Sequence, residues 1–323
     1  MIADQVEAQF GPGRQLRIPQ MSRPYPGLSL DVVDVTGGPQ GSLLATWVDA
    51  VERRELDRLT SGHVIPSERT RIHLEVVAQY LPTGEIAAQW AIWTDEPMLE
   101  YRVLTEGKLL GFTRESVDRD NVFVFETDGT KTRSGRLNPG VTDVGILSDS
   151  AILIAYDRYF EDDQGVVLGL AMYTTTLERT DFGDGAGYLP AKLAIGENEV
   201  TFWDRSSSTI MSSKQNRPIW PDLIRRLSGR LEPEWVLHTP GTNRWGLVEQ
   251  TVSGPVVVLG YVENVRWTTV GELKVLESER FAHQSSKVFC DTETLSWCAG
   301  RKWYSMSIDE MFRDLRAESE PGG

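Results

Sequence analysis

The chain has 323 residues, 40% of them hydrophobic, with 33 Lys plus Arg against 47 Asp plus Glu and a formal net charge of −14. That balance opposes long-range attraction to phosphate backbones, so no nucleic-acid partner is expected. The longest apolar stretch, residues 256–259, is far short of the ~20 residues that span a bilayer. The first residues, Met1-Ile2-Ala3-Asp4, show neither a basic start nor an apolar core, and the expectation is a cytoplasmic protein without membrane contact.

Taken in chain order, the first element is residues 15–19, apolar and alternating. After it, hydrophobic runs ending in an aromatic residue recur almost to the C-terminus. Ser42-Leu43-Leu44-Ala45-Thr46-Trp47 is the first, and Leu109-Leu110-Gly111-Phe112 the second. Ala151-Ile152-Leu153-Ile154-Ala155-Tyr156, Val200-Thr201-Phe202-Trp203, Val256-Val257-Val258-Leu259-Gly260-Tyr261 and Lys302-Trp303-Tyr304 follow. The landmark aromatics Trp47, Phe112, Tyr156, Trp203, Tyr261 and Trp303 are spaced by 65, 44, 47, 58 and 42 residues, and a period near ~45 is that of four-stranded propeller blades.

A second family of strands lies out of phase with the first, ending at Tyr80, Phe125 and Tyr173. Two of its members carry a glycine four positions on, Gly84 and Gly129, where a tight hairpin turn needs a positive φ. The third has Leu177 instead, so a longer turn, or one of another type, is expected there. These patterns predict an all-β, six-bladed β-propeller, with five and seven blades as alternatives and a β-sandwich as the competing architecture. The ring is expected to close by pairing residues 15–19 with residues 302–306, so that no blade keeps an unpaired edge.

Helices are few. Residues 49–59 and 221–227 read as short insertions that account for the two long gaps. Ser307 with Glu310 forms a capping box ahead of apolar residues at helical spacing, which predicts a C-terminal helix docked on the propeller. The expected organisation is a propeller over residues 1–306 and a helix with its tail over 307–323.

Cys290 and Cys298 could face each other across a hairpin. In a cytosolic protein two buried free thiols are the preferred reading. Arg225, Arg226 and Arg230 form a local basic strip, read as the solvated face of the short helix.

Several stretches resemble an uncharacterised bacterial family of propeller-like repeat proteins. They are Val122-Phe123-Val124-Phe125 with Asp128-Gly129, Gly140-Val141-Thr142-Asp143-Val144, Ile152-Leu153-Ile154-Ala155-Tyr156-Asp157 and Gly300-Arg301-Lys302-Trp303-Tyr304. Arg158-Tyr159 and Asn138-Pro139 depart from that family's glycine-containing loop and acidic turn. The resemblance implies the fold and no activity.

The four histidines show no helical metal-binding spacing, and there is no nucleophile-elbow or phosphate-loop motif. Asp49, Asp157 and Asp204 follow the landmark strands and are candidate ligand-binding residues. If they converge at a channel mouth, they could hold a cation or a cationic group; otherwise each accepts hydrogen bonds in its own turn. Asp181 and Asp184, in a glycine-rich loop, are candidate ligands for calcium or another divalent cation, although the pattern lacks the closing glutamate of a calcium hand. No other cofactor is expected.

The function expected is therefore that of a non-catalytic binding or scaffold protein holding a protein or peptide partner on a propeller face. The alternative is a lactonase-like propeller hydrolase with a carboxylate-bound divalent metal at the channel mouth.

Overall fold

The computed structural model describes residues 5–8, 14–16, 19, 29–50, 72–96, 99–114, 119–147, 151–161, 167–180, 188–196, 199–207, 209–214, 233–239, 241–251, 254–263, 266–275, 287–299 and 302–319. The expected short helices over 49–59 and 221–227 lie largely or wholly outside these, as do Asp181 and Asp184. Among the described residues no helix is long and apolar enough to cross a membrane.

Two short strands come first, β1 (Gln5–Ala8) and β2 (Arg14–Gln15). The first sheet is built of β3 (Leu30–Gly37), β4 (Leu43–Asp49), β5 (His73–Tyr80) and β6 (Ile86–Thr94), in that spatial order. The second holds β7 (Glu100–Val103), β8 (Leu109–Phe112), β9 (Val122–Phe125) and β10 (Lys131–Gly135). The third holds β11 (Val141–Ile146), β12 (Ile152–Glu161), β13 (Val167–Tyr173) and β14 (Arg179–Thr180). The fourth has β15 (Pro190–Ile195), β16 (Glu199–Asp204) and β17 (Thr209–Lys214).

The fifth sheet runs β18 (Trp235–His238), β19 (Arg244–Thr251), β20 (Gly254–Glu263) and β21 (Arg266–Val275), with β1 added in parallel beside β21. The sixth contains β22 (Lys287–Cys290), β23 (Thr294–Ala299) and β24 (Lys302–Ser307), with β2 antiparallel beside β24. Six sheets of sequential antiparallel strands make this a six-bladed β-propeller.

Arg14 pairs with Trp303 and Gln15 with Lys302, the partner strand expected for the N-terminal segment. The second N-terminal strand, β1, was not foreseen. The aromatic landmarks slip by one strand along the chain. Trp47, Phe112, Tyr156 and Trp203 lie on the second strands of their sheets, whereas Tyr261 and Trp303 lie on third strands, β20 and β24. Inner strands of a blade are covered on both faces, so second and third strands carry the same apolar, aromatic-ended signature.

The chain divides into two compact units, one of residues 14–137 with 300–303, the other of 1–13, 138–299 and 304–323. In the first, Leu44, Val77, Trp90 and Ile92 of the first sheet meet Leu99, Tyr101, Leu109, Phe123 and Phe125. Each such buried side chain contributes about 1.5–3 kcal/mol. The Trp90 indole N–H finds its acceptor at Gly107 O, 2.8 Å away. Gly129 holds φ +83° against Ala91 O of β6, where any side chain would collide with that backbone oxygen; here the glycine read as a turn residue also lets two sheets approach.

In the second unit, Leu153, Ala155 and Leu170 pack on Leu193, Val200, Phe202 and Met211, and Trp203 and Ile210 on Val236, Trp245, Leu247 and Val258. The helix α1 (Ile308–Ser319) starts at the expected capping box: Ser307 N donates to Glu310 Oε2 at 2.7 Å and Glu310 N to Ser307 Oγ at 3.3 Å. Its Ile308, Met311, Phe312 and Leu315 bury against Trp235, Leu259, Leu273 and Trp297. Arg244 clamps the same helix, 2.6 Å from Asp309 and stacked over the Phe312 ring.

The expected turn at Leu177 is corrected. In the Leu81–Glu85 turn, Gly84 N donates to Leu81 O and Leu81 N to Glu85 O, both at 2.8 Å, with Gly84 at φ +84°. Leu177 N donates to Thr174 O at 3.0 Å and Thr174 N to Glu178 O at 2.8 Å, with Leu177 at φ +64°. The turn is the same, and a leucine adopts the left-handed conformation because the strand pairing on either side dictates it.

Candidate functional site

The strand-end aspartates occupy related but not identical places. Asp49 is paired with Leu30 and Asp204 with Pro190, while the corresponding partner of Val141 is Tyr156. Asp157 therefore stands one residue further along its strand, and a one-residue step turns a side chain to the other face. Asp49 Oδ2 accepts Ser29 N at 3.0 Å, and Asp204 Oδ1 accepts Leu189 N at 2.9 Å. Both carboxylates thus hold the residue just ahead of the first strand of the sheet. Asp204 is buried and also accepts from Ser206 N at 3.2 Å, from Ser206 Oγ and from Ser207 Oγ. Asp157 faces Arg158, 2.9 Å from its Nε, at the surface.

A fully buried polar group lies in the first unit, where the sequence offered no sign of one. Glu75 of β5 is 1% exposed; its Oε1 is 3.1 Å from His73 Nε2, and its Oε2 accepts the Tyr101 hydroxyl at 2.5 Å. Burial first, then the Glu75 charge, pushes the Tyr101 phenol well above its usual range. His73 and Glu75 are two residues apart on a strand, which puts both on the face towards β7.

The second unit carries ionisable groups along adjacent first strands. Asp143 of β11 accepts Leu193 N at 3.0 Å and Val144 N at 2.9 Å, and Lys192 of β15 donates to Thr142 O at 2.7 Å. Burial raises the Glu234 carboxyl, Lys192 opposes the shift and Glu249 adds to it. Burial also raises Asp291, against the Glu293 and Thr294 backbone N–H groups it accepts. The Cys290 thiol is pushed far up by burial and then by the charges of Asp291, Glu234 and Asp143. Cys298 is pushed up to about 12 by burial.

Cys290 pairs with Leu295 and Cys298 with Lys287, so the two thiols sit on opposite faces of their hairpin; both are buried and neither is in a disulfide. Such protonated thiols are poor nucleophiles. Among the described residues no group of three or more His, Cys, Asp or Glu side chains is arranged to hold a metal ion.

An exposed aromatic surface also escaped sequence reasoning. Trp93 of β6 is 56% exposed and Ile72, just before β5, is 64% exposed. Leu74 pairs with Trp93, and continuing the β4–β5 register beyond Trp47 and Val76 puts Asp49 beside Leu74. Asp49, Ile72, Leu74, Trp93 and Asp95 therefore share one face at one end of the first sheet. The signal available was Trp90-Ala91-Ile92-Trp93: two tryptophans three apart on a strand must point to opposite faces.

No protein-family model and no curated protein matches the chain. Solved structures do. Hsv2 of Kluyveromyces lactis is 9% identical with a TM-score of 0.45, over 86% of this chain and 98% of that one. A Bacteroides uniformis protein provisionally named a 6-phosphogluconolactonase is 11% identical with a TM-score of 0.40, over 81% of this chain and 76% of that one. A Bacteroides caccae protein of unknown function is 14% identical with a TM-score of 0.38, over 69% of this chain and 78% of that one. Likenesses of this size carry no argument about activity.

Proposed function

We propose that this propeller is a non-catalytic binding protein that holds a protein or peptide partner. One observation carries the reading: two of the three acids best placed by sequence for chemistry, Asp49 and Asp204, act as fixtures of the fold. Asp204 uses both carboxylate oxygens on Leu189, Ser206 and Ser207, and Asp49 holds Ser29. A carboxylate saturated by its own strand ends is poorly suited to bind a metal or shuttle a proton. It is well suited to fixing the ends of blades whose loops present a partner surface.

Metal analysis of the purified chain, with a hydrolysis assay on a panel of lactones, tests the reading. The expected result is no stoichiometric divalent ion and no turnover. One bound equivalent of calcium or another divalent cation, or turnover lost in Asp204→Asn, would replace it with the hydrolase reading.

A further inference from the structure

The strand β1 is extra to its blade. The fifth sheet already has four antiparallel strands, β18 to β21, as many as each of the first three sheets; β1 is added outside β21 and in parallel. By contrast β2 completes its blade, because the sixth sheet reaches four strands only with it. The plan of the fifth blade therefore does not need β1, whose place is on the outer edge of β21.

It covers only part of that edge. β21 runs from Arg266 to Val275, and β1 pairs with Glu272, Leu273, Lys274 and Val275. Among the described residues no strand lies beside the outer edge of residues 267–271, and Thr268, Thr269 and Val270 are exposed. None of Trp267, Thr268, Thr269 and Val270 is charged, and an uncharged, uncovered edge is a template for a further strand. A bulge at Val270, which is skipped in the pairing with β20, divides the open stretch from the covered one.

The register states what the edge takes. Leu273 is buried with Phe312 and Leu315 of α1, and Leu315 also lies against Gly271. Residues opposite one another in a sheet share a face, so the position opposite Leu273 lies towards α1 and suits an apolar residue. In this chain Val6 holds it. The next position, opposite Lys274, is on the other face and is held by Glu7, a residue of opposite charge.

We propose that the outer edge of β21 is a strand-addition site, which β1 occupies in cis and an extended segment of a partner protein takes by displacing it. The proposal rests on the binding reading above and gives it a site and a mode. The segment runs parallel to β21 and carries an apolar residue followed by an acidic one at the Val6 and Glu7 positions. It pairs first along the open stretch, then replaces β1 over Glu272–Val275. Length is what lets it compete: a tethered strand acts at an effective concentration on the order of millimolar, but β1 pairs over four residues only.

A synthetic peptide with the sequence of residues 1–10 is the probe, titrated against the full chain and against the full-chain double variant Val6→Pro/Glu7→Pro. Of two neighbouring residues in a parallel ladder, one points its N–H at the partner strand, so the two prolines together break the pairing of β1. The expected result is that the variant melts close to the parent and binds the peptide. The parent binds the same peptide with an affinity lower by about tenfold or more, because its own β1 competes. Peptides carrying Val6→Lys or Glu7→Lys bind the variant at least about threefold less well, and a peptide with proline at both positions binds neither chain.

A double variant that melts as low as Arg14→Pro/Gln15→Pro, in which β2 is broken, makes β1 an integral part of the blade and overturns the proposal. So does a folded variant that ignores the peptide, or a parent that binds it as tightly as the variant. A parent that shows no binding at millimolar peptide makes β1 a permanent cover, which also overturns it. Equal binding of the lysine-bearing peptides overturns the ligand chemistry, and a double variant that dimerises through the freed edge overturns the choice of partner in favour of a second copy. Each of these leaves the binding reading standing; that reading falls instead to the metal and lactone assays.

Discussion

The first and third sheets share one backbone plan and fill it with different residues. Both have a four-strand antiparallel order, a second strand ending beside the start of the first, and the same turn between third and fourth strands. The first sheet fits that plan with the residues it calls for: Gly84 in the left-handed position and Asp49 on the preceding backbone N–H. The third fits it with Leu177 and with Tyr156 where Asp49 would stand. Strand pairing therefore fixes the local conformation, and the local residue then either suits it or is strained by it.

The comparison sharpens at Glu75, which has no counterpart in the third sheet, where β13 buries Leu170 and Ala171. Removing one partner of a buried ionic group leaves the others without compensation, so Glu75→Ala is expected to cost about 3–5 kcal/mol in urea unfolding. A loss under about 1 kcal/mol, no larger than an ordinary hydrogen bond, would make the His73–Glu75–Tyr101 group energetically incidental.

The turns come next. Leu177→Gly should stabilise the chain by about 1 kcal/mol, the left-handed penalty of an L-residue less the entropy glycine adds to the unfolded state. Gly84→Leu should cost a similar amount. If both substitutions destabilise, side-chain packing of Leu177 outweighs its backbone strain, and the two turns are not equivalent.

Of the strand-end acids, Asp157 should show the smallest effect. Asp157→Asn should change stability by no more than about 0.5 kcal/mol, since it weakens only a surface pair with Arg158. Asp204→Asn should lose about 0.5–1.5 kcal/mol for each hydrogen bond that fails to re-form. A gain in melting temperature from either change would reveal mutual repulsion, and with it the convergent cation site.

Much of the fold was legible because apolar strands bearing an aromatic residue recur from blade to blade, and because Ser307 and Glu310 mark a helix start by direct backbone chemistry. The strand order within the repeat was not legible past Trp203. Tyr261 and Trp303 sit on strands buried like those before them, and periodicity cannot distinguish neighbours that share one environment. Leu177 was misread because local sequence was asked to report a geometry imposed from outside. The candidate acids were found as residues, but not their register: Asp157 departs from Asp49 and Asp204 by one position, which only the pairing with Val141 and its neighbours reveals. Trp93 and Glu75 went unnoticed because exposure on a strand and burial of a charge depend on what packs against each face.

The pairing of Arg14 with Trp303, and of Gln5 with Glu272, has a kinetic consequence. During synthesis, at about 5–20 residues per second, both early strands stay without partners until nearly all of the described sequence has emerged. Contacts this distant in sequence are slow to close, because the entropy of a long loop must be overcome before the contact repays it. The blades between can assemble from neighbouring hairpins as they appear, while β1 and β2 engage last. Folding should therefore end in a late phase that is sensitive to changes at Arg14 and Gln15 and insensitive to the hairpin turns.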